Sequence, residues 1–259
     1  MMEINILGSG VMGKQIAALF YLGGFQVNVW DSQQIDEPAL TRQIKLTGKF
    51  IRTEKQGRID FFYDIEEIRN AITIESVIED IGVKRYLYEK ISKKITMPYF
   101  TNASSYSMFE IGENANAMHF FNPIHLGLVE VFLISEESSK QIRSILDYFA
   151  EINFEVIEVK KNRGYIGNYL LFHEISEILR LIEKYGYSIE AVSRVYNKIY
   201  QGRDVFSIID LIGIDVVNKI ILNLKEEDSS LYVPYSLDLA LKNNVLGKKN
   251  GTSIRQILK

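Results

Sequence analysis

The chain carries three histidines, His119, His125 and His173, and their surroundings differ. His119 closes a strand-like run, Ala117-Met118-His119-Phe120-Phe121-Asn122-Pro123, and the chain returns through Leu128-Val129-Glu130-Val131. Laid side by side, the two segments bring the Glu130 carboxylate against the His119 ring. An imidazole is well suited to accept a proton near neutral pH. A carboxylate on its far nitrogen fixes the tautomer. Oxidation of a secondary alcohol to a ketone needs such a proton acceptor, with a hydride acceptor at the same carbon. His173 falls mid-helix beside Glu174 and reads as a surface or packing residue. His125, in the loop after Pro123, fits either role.

A hydride acceptor is suggested at the other end of the same half. Gly8-Ser9-Gly10-Val11-Met12-Gly13 is a GxGxxG placed after the first strand-like run and before the first helical one. Gly8 allows a tight turn, Gly10 lets a pyrophosphate approach the backbone, and Gly13 lets helix and strand pack closely. The N–H groups at the helix start would face the phosphates. Asp31 ends the second strand-like run, where a carboxylate accepts from ribose hydroxyls and repels a 2′-phosphate. Ser32 and Gln33 follow it, with no arginine nearby, which favours NAD over NADP. By itself the glycine pattern also fits a plain turn or another nucleotide-like ligand. The strand, helix and acid around it point to a dinucleotide.

Positioning these groups requires alternating elements. Strand-like runs fall at residues 3–7, 26–30, 71–74, 77–81, 99–101, 117–121, 128–134 and 154–159. Helical spacing falls at 11–23, 84–94, 107–112 and 136–152. Strands separated by helices imply parallel pairing and a doubly wound α/β sheet. Beyond the polar Lys160-Lys161-Asn162-Arg163-Gly164 the strand signals vanish. Helical stripes follow at 165–184, after Ser188 as an N-cap, and at 205–212, 216–224 and 235–241. The expected organisation is therefore an α/β domain at 1–161 and a smaller all-α domain at 162–259.

Composition narrows the function classes. With 30 Lys+Arg against 33 Asp+Glu, the net charge of −3 lacks the basic excess of a nucleic-acid protein. The 47% apolar content supplies a sizeable core. With no cysteine, a disulfide framework, a thiolate nucleophile and a cysteine-ligated zinc or iron–sulfur site are all excluded, and no metal site is read. No apolar run reaches the ~18 residues of a membrane span, and the N-terminus has no signal-peptide pattern. The expectation is a cytoplasmic protein without nucleic-acid or membrane partners.

The chain resembles the 3-hydroxyacyl-CoA dehydrogenase family over nearly its whole length. The pieces that carry the resemblance occur in family order. They are GSGVMG with Asp31, SVIED at Ser76–Asp80, TNASS at Thr101–Ser105, HFFNP at His119–Pro123, LVEV at Leu128–Val131, GYIGN at Gly164–Asn168 and IDLIGIDV at Ile209–Val216. HFFNP followed by LVEV is the most specific pair. The resemblance implies a Rossmann-type NAD-binding domain followed by a helical substrate and dimerisation domain. It implies His119 as the base that takes the 3-hydroxyl proton, and Glu130 as the carboxylate that orients it. It further implies Ser104 and Asn168 as catalytic and substrate-binding residues, with Asn122 beside them, and Glu79 and Asn102 next to the cofactor. By residue type alone, Glu130 also fits an exposed strand carboxylate, Ser104 and Ser105 a turn or helix cap, and Asn168 an ordinary helix polar residue.

The departures from the family pattern are local. The segment from Gly82 to Lys84 enters its helix almost directly. The region 33–67, which in relatives holds a helical clamp over the CoA nucleotide, is reduced. It carries Arg42, Lys45, Lys49, Arg52 and Lys55 at near-helical spacing. These charges suit CoA phosphates, the acidic surface of an acyl carrier protein, or simply water. The implied activity is NAD-dependent interconversion of a 3-hydroxyacyl and a 3-oxoacyl thioester by a homodimer. The alternatives are the same reaction on an acyl carrier protein, or a degenerate NAD-binding protein without turnover.

Overall fold

A computed structural model describes residues 2–51 and 53–258 and divides the chain into two compact units, Met1–Asn162 and Arg163–Lys259. The first unit is built on eight strands: β1 (Glu3–Leu7), β2 (Gln26–Trp30), β3 (Arg58–Phe62), β4 (Ile72–Glu75), β5 (Tyr99–Thr101), β6 (Asn116–Phe120), β7 (Leu128–Phe132) and β8 (Glu155–Glu158). Its helices are α1 (Val11–Leu22), α2 (Glu37–Thr47), α3 (Ile81–Ile91), α4 (Met108–Ile111), α5 (Glu136–Gln141) and α6 (Arg143–Glu151). The strand order is β3-β2-β1-β4-β5-β6-β7-β8, parallel from β3 to β6. This is the doubly wound arrangement of the Rossmann type, which reverses direction between β1 and β4. Ligands of such sheets bind outside the carboxyl ends of the strands at that switch point.

Strand sequences explain which positions are covered. β1, β2 and β4 are buried on both faces, as a sheet with helices on both sides demands, with one face apolar and the other carrying Asn5, Asn28 and Thr73. Ile4, Ile6, Val27, Val29, Ile72 and Ile74 are buried against Ile16, Leu19 and Phe20 of α1 and Phe149 of α6. A fully buried side chain of this size contributes about 1.5–3 kcal/mol. The polar residues inside these strands are paired across the sheet. Asn28 Nδ2 donates to Asn5 Oδ1 at 3.1 Å, and Asn5 Nδ2 to Thr73 Oγ1 at 3.1 Å.

Three sequence expectations change. The run 77–81 is not a strand. β4 ends at Glu75, whose carboxylate accepts the Val77 N–H at 2.8 Å, and Asp80 caps α3 through the Val83 N–H at 3.0 Å. The run 136–152 is two helices that meet at Ile142. In keeping with the return of the chain through Leu128–Val131, β7 is antiparallel to β6, because the short link between them cannot make a parallel crossover. The region 33–67 holds α2 and the edge strand β3, whose Arg58 and Asp60 mask its apolar alternation, a common feature of edges.

The second unit is helical: α7 (Gly167–Tyr185), α8 (Ile189–Ile199), α9 (Val205–Ile212), α10 (Ile214–Lys225) and α11 (Tyr235–Lys242). Its core gathers Ile175, Leu179, Phe206, Ile209, Val217, Ile221 and Leu237. Ser188 caps α8 by accepting the Ala191 N–H at 3.2 Å. Among the described residues, no helix is long and apolar enough to cross a membrane.

Candidate active site

The glycine loop follows β1 and opens α1. Gly8 has φ +97°, and a Cβ there would lie 2.6 Å from the Ser76 carbonyl oxygen, so only glycine fits. A Cβ on Gly13 would lie 1.9 Å from the Gly8 oxygen, which explains the close approach of α1 to the loop. Gly10 differs: a Cβ there meets nothing within 4 Å. That open space, and a helix start without a side-chain cap, leave amide N–H groups facing a region that a pyrophosphate can enter. Val11 is exposed at this end of the helix, and Met12 packs on the core beneath it.

Asp31 lies just beyond β2 and closes the other side. Its Oδ2 accepts both the Ser9 N–H and the Ser9 hydroxyl at 2.7 Å, and its Oδ1 accepts the Gln33 N–H at 3.0 Å. Partial burial pushes the carboxyl up, but these hydrogen bonds and Lys14 outweigh it and hold Asp31 below its ordinary value. The carboxylate is thus kept ionised beside the glycine loop. The residues fit a dinucleotide: a cradle open at Gly10, uncapped amides, and an anchored acid at the end of β2.

His119 and Glu130 are partners in the β6–β7 register, and His119 Nδ1 lies 2.8 Å from Glu130 Oε2. Both are buried, at 5% and 2% exposure. A carboxylate can only accept, so Nδ1 carries the proton and Nε2 is the ring's basic nitrogen. The Phe121 ring packs 5.0 Å from the imidazole. Asn122, exposed, lies just past the end of β6.

Ser104 sits in the loop after β5, and the acid of SVIED holds that loop. Glu79 Oε1 accepts from Ser104 N at 3.0 Å, Ser105 N at 2.9 Å and Ser105 Oγ at 2.7 Å. Beneath it lies Lys84, only 1% exposed. Its ammonium meets Glu75 at 2.7 Å and Glu79 at 3.3 Å. Glu75 also accepts from Thr101 Oγ1 at 2.9 Å. Burial alone would raise the Glu79 carboxyl, but the Lys84 charge and the Ser105 hydrogen bonds bring it below its ordinary value. Burial likewise opposes the Lys84 charge, and Glu75 and Glu79 reverse that and raise it. Asn102 ties β5 to β6: its Oδ1 accepts the Phe120 N–H at 2.8 Å.

The carboxyl ends of β1, β2, β4, β5 and β6, with the loops that follow them, therefore gather Gly8–Gly13, Asp31, Glu79, Asn102, Ser104, His119 and Asn122 along one edge of the sheet. Asn168 belongs to the second unit, as the second residue of α7. Glu75, Lys84 and Gln15 are polar residues around the site that sequence reasoning passed over, and Ser105, read as a turn or cap residue, donates to Glu79. The signal for Lys84 was Asp80, a ready N-cap that starts α3 three residues earlier than the apolar spacing does. The basic stripe does not form one helical face. α2 carries Arg42 and Lys45 but ends at Thr47. Lys49 lies beyond it, Lys55 pairs with Glu151, and Arg52 lies outside the described residues. His125 stacks on Phe50 at 4.3 Å. His173 lies between the Tyr169 carbonyl oxygen at 2.7 Å and Asp228 at 3.1 Å. Among the described residues, no group of three His, Asp or Glu is arranged to hold a metal ion.

Residues 3–162 match the family model of the 3-hydroxyacyl-CoA dehydrogenase NAD binding domain, and residues 164–256 match that of the 3-hydroxyacyl-CoA dehydrogenase C-terminal domain. The chain is 27% identical to the mitochondrial hydroxyacyl-coenzyme A dehydrogenase of Sus scrofa, over 96% of this chain and 89% of that one. It is 26% identical to a 3-hydroxybutyryl-CoA dehydrogenase of Mycobacterium tuberculosis, over 96% of each. Among solved structures, the (S)-3-hydroxybutyryl-CoA dehydrogenase of Ralstonia eutropha shares the fold with a TM-score of 0.82, at 20% identity over 97% of each chain.

Proposed function

This chain belongs to the 3-hydroxyacyl-CoA dehydrogenase family, and from that premise we propose that it interconverts a 3-hydroxyacyl-CoA and the 3-oxoacyl-CoA with NAD. The observation that carries the reading is the buried His119–Glu130 pair, 2.8 Å apart, on the sheet whose glycine loop fits NAD. NAD, when bound, supplies the hydride acceptor. His119 Nε2 takes the proton of the 3-hydroxyl as the C–H bond is broken and the C=O bond forms. Glu130 receives the Nδ1 proton in a hydrogen bond and stabilises the imidazolium that results. The Ser104 hydroxyl holds a substrate oxygen, and Asn168 keeps the substrate-binding role that the family resemblance implies for it. Glu79, held by Lys84, fixes the backbone of Ser104. In the reverse direction the imidazolium returns its proton to the oxygen.

The second unit is proposed to bind a second copy of the chain. Leu181, Tyr187, Val195, Ile199 and Tyr200, on α7, α8 and the residues flanking α8, line one exposed apolar groove, which supports that reading.

The test is a turnover assay: purified protein, NAD and a series of 3-hydroxyacyl-CoA esters, followed by NADH absorbance. Turnover that falls sharply in His119→Gln supports the reading. Tight NAD binding with no turnover of any hydroxyacyl thioester overturns it.

A further inference from the structure

Gln15 is a buried amide on α1, two residues beyond the glycine loop, and both ends of its amide are hydrogen-bonded. The Ile124 N–H donates to Gln15 Oε1 at 2.8 Å. A backbone N–H can only donate, so this contact fixes which end of the Gln15 amide is oxygen. The Nε2 group then has two hydrogens to give. One goes to Asn122 Oδ1 at 3.1 Å, and the other points to Met12 Sδ at 3.7 Å.

The same logic passes to Asn122. With its oxygen turned to Gln15, its Nδ2 faces the other way, and Asn122 is exposed. Among the described residues Nδ2 makes no hydrogen bond. Asn122 stands three residues after His119, at the carboxyl edge where the glycine loop also opens. One helix thus begins at the dinucleotide cradle and, a turn later, orients an amide beside the catalytic strand.

We propose that Gln15 is a positioning residue that sets Asn122 as a hydrogen-bond donor, so that an N–H and not a C=O meets an oxygen atom of the bound ligand. This rests on the dehydrogenase reading of the strand edge. An asparagine without Gln15 can turn either way, and in half of its orientations it would oppose the ligand oxygen with its own.

Two measurements on the full chain decide it. The first needs no turnover: side-chain amide exchange in the 15N-labelled, ligand-free protein. The Gln15 NH2 group should exchange at least about tenfold more slowly than that of Asn122, since an internal hydrogen bond must open first. A protected Asn122 NH2 group overturns the assignment. The second is a double-mutant cycle on kcat/KM. Gln15→Met should cost roughly tenfold, the worth of one directed hydrogen bond, and should cost nothing further on an Asn122→Ala background. Additive losses would mean that Gln15 acts only on packing and would overturn the proposal. So would an Asn122→Ala enzyme with unchanged constants, while its sensitivity to His119→Gln would still uphold the dehydrogenase reading. Should Gln15→Met not fold, Gln15→Glu keeps the acceptor for Ile124 and demands a donor from Asn122. That turns the Asn122 oxygen outward, with the same loss expected in kcat/KM. Full activity in Gln15→Glu counts against the proposal.

Discussion

His119 and Glu130 face each other across neighbouring antiparallel strands, ring nitrogen to carboxylate at 2.8 Å, in a buried setting. Register alone places them, because a one-residue slip would turn one of the two side chains to the other face. His119→Gln should lower kcat by about two to four powers of ten, the usual contribution of a positioned base. Its NADH affinity should stay near that of the parent. Stopped-flow turnover beside fluorescence titration of NADH checks both. An unchanged kcat would remove His119 from the chemistry.

Gly13, closely packed, and Gly10, open, should fail differently. Gly13→Ala puts a methyl 1.9 Å from the Gly8 oxygen and must displace backbone, so the melting temperature should fall by several degrees. Gly10→Ala meets nothing within 4 Å. Its backbone is extended and open to any residue, so its melting temperature should hold while NADH affinity drops. Thermal melts and cofactor titration on the same samples separate the two.

Asp31 should give preference for NAD over NADP, since a 2′-phosphate would meet an ionised carboxylate. Asp31→Ser should weaken NAD and narrow the gap between the two cofactors. Equilibrium titration of both is the measurement, and tighter NADP binding by the parent protein would contradict the assignment. Because the folded state holds the Asp31 carboxyl below 3.8, its contribution to stability is present above that value. It is lost as the pH falls through the lowered one.

Lys84 lies between Glu75 and Glu79 with almost no exposure. Lys84→Met leaves two carboxylates together without their cation and should cost about 3–5 kcal/mol in urea unfolding at pH 7. The pH dependence follows from the signs. Glu79 is lowered from 4.5, so its contribution is full above that value and disappears as the pH falls through the lowered one. Lys84 is raised from 10.5, so its contribution is full below that value and disappears as the pH rises through the raised one. Between those limits the network's stabilisation should be flat, and in Lys84→Met the acid side of the curve should change most.

The basic residues after Asp31 test the substrate's handle. Lys45→Glu, on α2, should raise KM for acyl-CoA while leaving kcat nearly unchanged, the signature of lost uniform binding. Acyl-pantetheine should not respond. Lys55→Glu breaks only an exposed pair with Glu151 and should change stability by less than about 1 kcal/mol. Equal KM values for acyl-CoA and acyl-pantetheine in the parent would show that the nucleotide is not recognised.

Much of this protein was legible in its sequence, and the reason is that the legible parts are local. The glycines of Gly8–Gly13 report a turn and a close approach that no other residue allows. Asp31 is read from its place after a five-residue strand. His119 and Glu130 are read as partners because a short link joins their strands, so adjacency in sequence becomes adjacency in space. The helices of residues 167–242 follow from apolar spacing and, for α8, from Ser188 as an N-cap. Tertiary structure decided what depends on distant segments. Lys84 looks like any solvent-facing helix lysine until α3 is docked with Glu75 from one strand and Glu79 from a loop around it. Gln15 is a polar residue on a helix until the loop at Ile124 arrives to fix its amide. β3 becomes a strand because β2 offers it an edge, despite the charges at Arg58 and Asp60. Residue spacing encodes which face of an element is buried. It does not encode which element lies against that face, and the charge pairs and amide orientations of the site are set by that second choice.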